Sequence, residues 1–330
     1  MLRNSSTSFP LLALDIGGTH VRFGCMLSVE EGLRDIRAYR CAYFTSPVDA
    51  ASHYLAEVGL SSVARVTVAI AGVVSSGPIK LTNSNWVFES GCFAASVGAT
   101  SIEMFNDFEA IALVLPYLVP EELNIVGSAT INQTWPMAVI GPGTGLGVAG
   151  IIPIRSQPGN WQTMCGEGGH TTIPAATRHQ HEVIVAARQE IEHLDAEQLV
   201  SGIGLPTLYR AVARVDGLIA DDIDAAEIGA RGSSGSDMLA ARTLDTFCGF
   251  LGSIAGNLAL TMGAKGGVFI AGGIVPQWGS YFTRSSFRAH FENNKRYRDY
   301  LAPIATAVIT APYPGLMGLV QHAARTLPAR

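Results

Sequence analysis

The chain has 330 residues and a formal net charge of -5, which gives no electrostatic reason to expect a nucleic-acid partner. Hydrophobic residues make up 48% and charged residues 15%, which excludes an intrinsically disordered chain, and the length favours two domains. The five cysteines are scattered without a CxxC pair, which argues against a disulfide scaffold or a zinc ribbon. No stretch approaches the roughly 20 apolar residues of a membrane span, and no signal-peptide pattern opens the chain, so we expect a cytoplasmic protein that does not enter a membrane.

Strand-like and helix-like segments alternate along the chain, which predicts an α/β layer architecture. In the first third, the patterns predict strands over residues 11–16, 21–27, 35–43, 66–71 and 101–105, and helices over 48–58 and 107–117. A similar order then restarts, with strands over 137–141, 148–154 and 268–271 and helices over 179–194 and 236–262. The last helix is apolar nearly all round and carries Gly249, Gly252 and Gly256, so we expect it to be buried with another element close against it. Residues 221–237 are predicted to form an exposed connection.

Two short Gly-Thr segments occupy matching places in these two halves. Gly18-Thr19 and Gly143-Thr144 each follow the first strand of a half and lead into a second strand. Each is predicted to be a tight β-hairpin bend with exposed backbone amides. Two such bends facing one another would form a cleft between two related domains. The alternative is that the match reflects only the frequency of glycine turns in a chain with 36 glycines.

Known phosphate-binding motifs are absent from the sequence or fail in their context. No Gly-Lys dipeptide occurs, which excludes a Walker P-loop. The segment from Gly145 to Gly150 fits GxGxxG, but a β-branched run follows where a dinucleotide-binding fold needs a helix. No HExxH motif or other metal-ligand cluster remains. The remaining candidate phosphate site is Asp15 followed by the first glycine bend. The N–H groups of the bend suit phosphate oxygens, and Asp15 would hold Mg²⁺ or its waters. The alternative is that Asp15 only caps a turn.

Polar residues at two other places are candidates for binding a polar ligand. Asn106 and Asp107 stand where a strand ends and a helix begins, which favours helix capping and is also where α/β folds place their ligands. Glu167 and His170 lie among three glycines, where the backbone approaches closely and offers two hydrogen-bonding side chains. A lone histidine is more often structural, so both interpretations stay open.

Glu190 is the residue that helical periodicity singles out. In the predicted helix 179–194, Val183, Ala187, Glu190 and Leu194 fall on one apolar stripe. A carboxylate on such a face is costly unless it is bonded, so Glu190 is predicted to reach a polar ligand, the alternative being a solvated position at a domain edge.

With these residues in place, the sequence resembles the bacterial glucokinase family, of the hexokinase and actin type. The resemblance covers nearly the whole chain, and the order of its motifs is far more specific than any one of them. The matching stretches begin at Leu14, Leu81, Asn106, Gly143, Gly166, Leu199 and Gly266 and include Asp15-Ile-Gly-Gly-Thr19, Leu81-Thr-Asn-Ser-Asn-Trp86 and Gly166-Glu-Gly-Gly-His170.

The resemblance implies a two-domain, actin-like (ribonuclease H-like) α/β fold with duplicated βββαβαβα halves and a cleft between the domains. Residues 1–117 and 312–330 would form a small domain, and residues 118–311 a large one. The implied activity is the ATP-dependent phosphorylation of glucose at its 6-hydroxyl, the entry step of glycolysis, by a magnesium-using and commonly homodimeric enzyme.

The resemblance also assigns roles to individual residues. Asp107 would be the general base, and Mg²⁺ would be held through water at Asp15. Glucose would contact Asn106, Asp107, Glu167, His170 and Glu190. The nucleotide would contact Gly17, Gly18, Thr19, Gly143, Thr144, Gly145, Gly272 and Gly273.

Some positions depart from the family pattern, and two other functions remain open. His20 stands where the family more often has Asn, and Pro142 stiffens the second bend. The related ROK sugar kinases carry a cysteine-rich zinc site after the sugar-binding histidine, whereas Ile173-Pro-Ala-Ala follows here, so a ROK kinase and zinc are not expected. The alternatives are a kinase for another hexose and a non-catalytic sugar sensor or repressor. Only 14 residues precede Asp15 and there is no basic stripe, which disfavours a DNA-binding repressor.

Overall fold

The computed structural model describes residues 8–72, 74, 77–81 and 85–326. Its strands are β1 (Leu11–Ile16), β2 (His20–Met26), β3 (Arg34–Arg40), β4 (Arg65–Ile70), β5 (Ile79–Lys80), β6 (Val87–Phe88), β7 (Ser101–Asn106), β8 (Leu123–Val126), β9 (Met137–Pro142), β10 (Leu146–Pro153), β11 (Trp161–Gly166), β12 (Gly267–Ile270) and β13 (Thr306–Ile309). Its helices are α1 (Pro47–Glu57), α2 (Ser90–Ser96), α3 (Asp107–Val114), α4 (Arg178–Ala187), α5 (Leu205–Asp216), α6 (Ala225–Ser234), α7 (Met238–Met262), α8 (Ser280–Arg284), α9 (Phe287–Phe291), α10 (Arg298–Leu301) and α11 (Pro314–Arg325). Within the described residues, no helix has the length and apolar character needed to span a membrane.

The chain forms two compact units. The first comprises Met1–Tyr117 and Pro312–Arg330, and the second is the continuous segment Leu118–Ala311. Each unit has its own sheet with helices packed on it, so the α/β architecture predicted from the alternating patterns is confirmed.

The first unit is built on a sheet in the order β3-β2-β1-β4-β7. β2 is antiparallel to both β1 and β3, whereas β4 is parallel to β1 and to β7. One face buries Leu12, Leu14 and Ile16 against α1 and its Tyr54. The other face buries Leu11 and Ala13 under α11. This alternation of buried side chains to both faces explains why β1 reads as an almost continuous apolar run.

Helix α11 lies unusually close to α3 in this unit. A Cβ atom at Gly318 would collide with the carbonyl oxygen of Ala110. Only glycine therefore permits this approach, which fixes α3 on the sheet and with it the position of Asp107, the first residue of α3.

The second unit has a sheet in the order β11-β10-β9-β12-β13-β8. Its first five strands repeat the arrangement of the first sheet, with the same antiparallel and parallel pairings. The order β11-β10-β9-β12-β13 corresponds to β3-β2-β1-β4-β7. Strand β8 is added antiparallel to β13 at the edge.

Helix α7 is buried in the core of the second unit, as its composition predicts. Cβ atoms at Gly252 and Gly256 would collide with the backbone carbonyl oxygens of Phe287 and Phe291, so α9 lies directly on the glycine face of α7. The predicted close approach is confirmed.

Two element predictions are wrong. The helix predicted over 179–194 ends at Ala187, and residues 188–190 form a turn. The segment 221–237, predicted as an exposed connection, contains α6, which begins at an Asp224 N-cap and ends at Gly235 in the left-handed conformation. The glycines and serines of α6 concealed it, because they have low helix propensity, and tertiary packing of Ile228 decides the outcome.

Candidate active site

The predicted phosphate bend in the first unit is a hairpin bend. β1 and β2 pair up to Ile16 and Val21, and the Gly17 N–H donates to the His20 carbonyl at 2.9 Å. Gly18 and Thr19 therefore lie at the tip of the bend. The sequence prediction of a tight bend after the first strand is confirmed.

The Asp15 carboxylate lies next to this bend and next to the start of α11. Its Oδ2 accepts a hydrogen bond from Arg22 Nη1 at 3.1 Å, and Arg22 is its cross-strand partner on β2. A Cβ at Gly315, in the first turn of α11, would lie 3.8 Å from the same oxygen. Burial raises the pKa of the Asp15 carboxyl, and Arg22 opposes that rise. A helix N-terminus and an arginine together suit an anion, and a single carboxylate suits Mg²⁺, which keeps several of its waters.

Asn106 caps α3 and presents Asp107 at the carboxyl end of β7. The Asn106 Oδ1 accepts from the N–H groups of Phe108 at 2.9 Å and Glu109 at 3.3 Å. Its Nδ2 donates to the carbonyl of Gly72 at 3.1 Å. The Asp107 Oδ1 accepts from the Phe108 N–H at 3.0 Å. The capping interpretation of Asn106 is confirmed, and it is compatible with a ligand-facing role for Asp107, since caps lie at the end of the sheet where α/β folds bind ligands.

The second unit has a matching bend between β9 and β10. Pro142 pairs with Leu146, and the Gly143 N–H donates to the Gly145 carbonyl at 2.8 Å. The Gly143 carbonyl accepts from the Gly202 N–H at 2.8 Å, which ties the bend to the loop before α5.

Gly272 lies against the base of the second bend. It has φ of +83°, and a Cβ at this position would collide with the Pro142 carbonyl. A left-handed conformation and a close backbone approach both require glycine here. The structure thus brings the predicted nucleotide residues Gly143 and Gly272 together within the second unit.

His170 is held by a buried aspartate that sequence analysis did not single out. Gly168–His170 forms a single 3₁₀ turn, and a Cβ at Gly169 would collide with the Leu146 carbonyl. The His170 Nδ1 lies 3.0 Å from Asp195 Oδ2. With Nδ1–H donating to Asp195, the ring orientation is fixed and Nε2 is directed away from the aspartate.

Glu197 is a second acidic residue that sequence analysis missed. Its N–H donates to the Gly169 carbonyl at 2.9 Å, and its Oε2 accepts from the Leu146 N–H at 2.8 Å. A Cβ at Gly145 would collide with the same carboxylate, so Glu197 lies between the second bend and the His170 turn. Glu197 belongs to no helix, so helical periodicity could not single it out. The one sequence feature that could have found it is its position just before Leu199-Val-Ser-Gly202, one of the matching stretches.

The structure corrects the argument that singled out Glu190. This residue lies in the turn after α4, not on an apolar helix face, and its side chain is 29% exposed. Its Oε2 accepts from Arg210 at 2.8 Å, and its Oε1 accepts from Arg214 at 3.3 Å. The hydrogen bond from Arg210 lowers the pKa of the Glu190 carboxyl. The guanidinium groups of Arg210 and Arg214 therefore already pair with the Glu190 carboxylate, which was predicted to bind a polar ligand.

Hydrogen bonding to Asp195 raises the pKa of the His170 imidazole, and the charges of Glu197 and Glu167 act in the same direction. His170 therefore keeps its proton to a higher pH than an ordinary histidine, and the stabilisation from this pair is lost as pH rises through the raised pKa.

We expect Asp195→Asn to lower the pKa of His170 in an NMR titration. Asp216→Asn removes the partner of another histidine, His179, which lies 3.1 Å from it, and should leave His170 unchanged. An equal shift in both variants would contradict the role of Asp195.

The fold places the chain in a known class of proteins. A crystal structure of glucokinase from an Antarctic psychrotroph matches it with a TM-score of 0.86 and 31% identity, covering 96% of this chain and 99% of that one. A ROK family glucokinase from Streptomyces griseus, solved with glucose and AMPPNP, shares the fold at a TM-score of 0.61 and 18% identity, over 96% of this chain and 100% of that one. The fold is thus that of the actin-like sugar kinases.

Sequence comparison narrows the class to one family. The Glucokinase family model matches residues 12–326. Glucokinase of Chromobacterium violaceum is 39% identical over 98% of this chain and 92% of its own length. Glucokinase of Paramagnetospirillum magneticum is 42% identical over 94% of this chain and 96% of its own. The chain belongs to the glucokinase family.

Proposed function

We propose that the chain transfers the γ-phosphoryl group of ATP to the 6-hydroxyl of glucose, giving glucose 6-phosphate at the entry to glycolysis. The observation that carries this proposal is the match to glucokinases over nearly the whole chain. The polar cluster of Glu167, His170 and Glu197 supports it, because a ligand rich in hydroxyl groups needs several fixed donors and acceptors.

Asp107 is proposed as the general base. Its carboxylate would accept the proton of the sugar 6-hydroxyl as that oxygen attacks the γ-phosphorus of ATP. The Asn106 cap and the close packing of α11 on α3 hold Asp107 in place, which supports this role, since phosphoryl transfer depends mainly on positioning and charge stabilisation.

Glucose is proposed to contact Asn106, Asp107, Glu167 and His170. For the remaining acidic contact we propose Glu197, which lies beside the His170 turn, ahead of Glu190, whose carboxylate is bound by Arg210 and Arg214. The Glu190 contact implied by the resemblance stays a prediction, and the two residues are separable by experiment.

The nucleotide is proposed to bind the two glycine bends. Phosphate oxygens would lie against the bend at Gly17, Gly18 and Thr19 and against the bend at Gly143, Thr144 and Gly145. The N–H groups of Gly17 and Gly143 donate within the bends, so the other amides would be the donors to phosphate. The adenosine would lie near Gly272 and Gly273. Asp15 would hold Mg²⁺ through water, and the ion, when bound, neutralises charge on the phosphates.

Further properties follow from the resemblance as proposals. The shared strand order of the two sheets supports duplicated halves, with the discontinuous unit as the small domain and residues 118–311 as the large one. A homodimer and a cytoplasmic location are proposed on the resemblance to the family.

We expect the purified protein to produce ADP from ATP and Mg²⁺ in a glucose-dependent manner, with much lower kcat/KM for mannose, fructose and N-acetylglucosamine. Fixed polar groups reject a misplaced hydroxyl strongly, because their own hydrogen bonds are then left unmade. The measurement is a coupled ADP assay over this sugar panel. Preference for another sugar would make the chain a kinase for that hexose. Sugar binding without ADP production from any sugar of the panel would instead indicate a sensor.

A further inference from the structure

The β1–β2 bend is held from one side by a single cysteine. Cys41 begins the 3₁₀ turn Cys41–Tyr43, directly after β3. Its backbone N–H donates to the carbonyl of Thr19 at 2.9 Å, and its thiol Sγ lies 3.7 Å from the carbonyl of Gly17. Cys41 is 4% exposed. One buried residue therefore contacts two carbonyls of the bend, that of Gly17 before the tip and that of Thr19 at the tip.

We propose that Cys41 is a positioning residue for ATP, which orients the amides of this bend through the carbonyls of Gly17 and Thr19. The inference rests on the proposed function, in which the bend binds phosphate oxygens.

The planarity of the peptide bond links Cys41 to the ligand side of the bend. The carbonyl of Gly17 and the N–H of Gly18 belong to one trans peptide unit, so they point in opposite directions. A thiol that holds the Gly17 carbonyl on the Cys41 side therefore directs the Gly18 N–H to the opposite side. The Thr19 carbonyl fixes the N–H of His20 in the same way.

The bend needs such a restraint for two reasons. The peptide between Gly17 and Gly18 has no side chain on either flank, so its rotation meets little steric resistance. The bend also borders a cavity of about 910 Å³ in the first unit, which Gly18, Thr19, Cys41 and Lys80 help to line. Packing alone therefore does not fix the bend. Burial raises the pKa of the Cys41 thiol, so it stays a protonated donor at neutral pH.

The chain offers a matched control in Cys25. This cysteine lies on β2 of the same sheet and is 1% exposed, and its Sγ lies 3.8 Å from Asp35 Oδ2. Replacing either cysteine with alanine removes one sulfur atom from the same unit, but only the Cys41 thiol contacts a carbonyl of the bend.

The test compares Cys41→Ala, Cys41→Ser and Cys25→Ala in the full chain. We expect Cys41→Ala to weaken ATP binding, measured as the calorimetric Kd and as the KM for ATP, by roughly two- to fivefold, the size of a weak hydrogen bond. The KM for glucose should stay unchanged. Cys41→Ser should recover most of the loss, because its hydroxyl can donate to the same carbonyl. Cys25→Ala should bind ATP like the wild type, although its melting temperature should be similar to that of Cys41→Ala.

Unchanged ATP binding in Cys41→Ala would overturn the role of Cys41, and so would an equal loss in Cys25→Ala, since both point to packing alone. A wild-type protein that neither binds ATP nor phosphorylates any sugar would instead overturn the proposed function. The two failures are therefore distinguishable.

Discussion

Asp107→Ala is expected to lower kcat by roughly 10²- to 10⁴-fold, the usual contribution of a positioned general base. The substitution removes the only group proposed to accept the 6-hydroxyl proton. The cap that starts α3 comes from Asn106, so the helix should persist and the protein should stay folded. Steady-state kinetics measures the rate, and calorimetric titration with glucose should still show binding.

Glu109→Gln is the matched control for this prediction. Glu109 lies in the same first helical turn, and its carboxylate accepts from the Asn106 N–H at 3.4 Å. Glutamine keeps an oxygen for that bond and removes only the charge, so kcat should stay close to the wild-type value. A near-normal kcat in Asp107→Ala would remove the base assignment, whereas an equal loss in both variants would indicate damage to the helix start.

Glu197→Gln is expected to raise the KM for glucose by roughly tenfold to a hundredfold, the cost of losing a hydrogen bond to a charged group. The amide oxygen of glutamine can still accept from the Leu146 N–H, so the backbone around the second bend should be preserved. Glu190→Gln should change the KM for glucose little, since its carboxylate is bound by Arg210 and Arg214. Initial-rate kinetics over a range of glucose concentrations measures both variants.

The reverse pattern would assign the sugar contact to Glu190. In that case Glu190→Gln would raise the KM for glucose and Glu197→Gln would leave it unchanged. Circular dichroism and the melting temperature of each variant serve as controls, because a general loss of folded protein lowers the active fraction without a selective change in KM.

Sequence patterns located the elements that carry strong local signals. The apolar run of β1, the glycine bend after it and the Asn-Asp helix start after β7 lie where the sequence predicts them. Each depends on neighbours within a few residues, through strand burial, turn geometry or capping. The same holds for α7, whose glycine face and apolar surroundings predict close packing within a core.

Contacts between distant residues were beyond the reach of these patterns. Arg210 approaches Glu190 from α5, 20 residues later in the chain, and Asp195 binds His170 across a separation of 25 residues. Periodicity also gave no stop signal at the end of α4, because no glycine or proline follows Ala187 closely and apolar residues continue to Leu194. For that reason the prediction that Glu190 lies on an apolar helix face was wrong. Glu197 was missed because its contacts, with Gly169 and Leu146, are with residues distant in the sequence.

The position of α11 has a consequence for synthesis on the ribosome. The face of the first sheet that holds Leu11 and Ala13 is covered by Leu316, Leu319 and Val320, which are translated only after the whole second unit. The continuous segment Leu118–Ala311 can fold as soon as it emerges, since domains fold as units during synthesis. The first unit must instead wait, with one face of its sheet open to solvent, until α11 has left the ribosome. Nascent chains arrested before α11 are therefore the stage at which this protein most needs a chaperone.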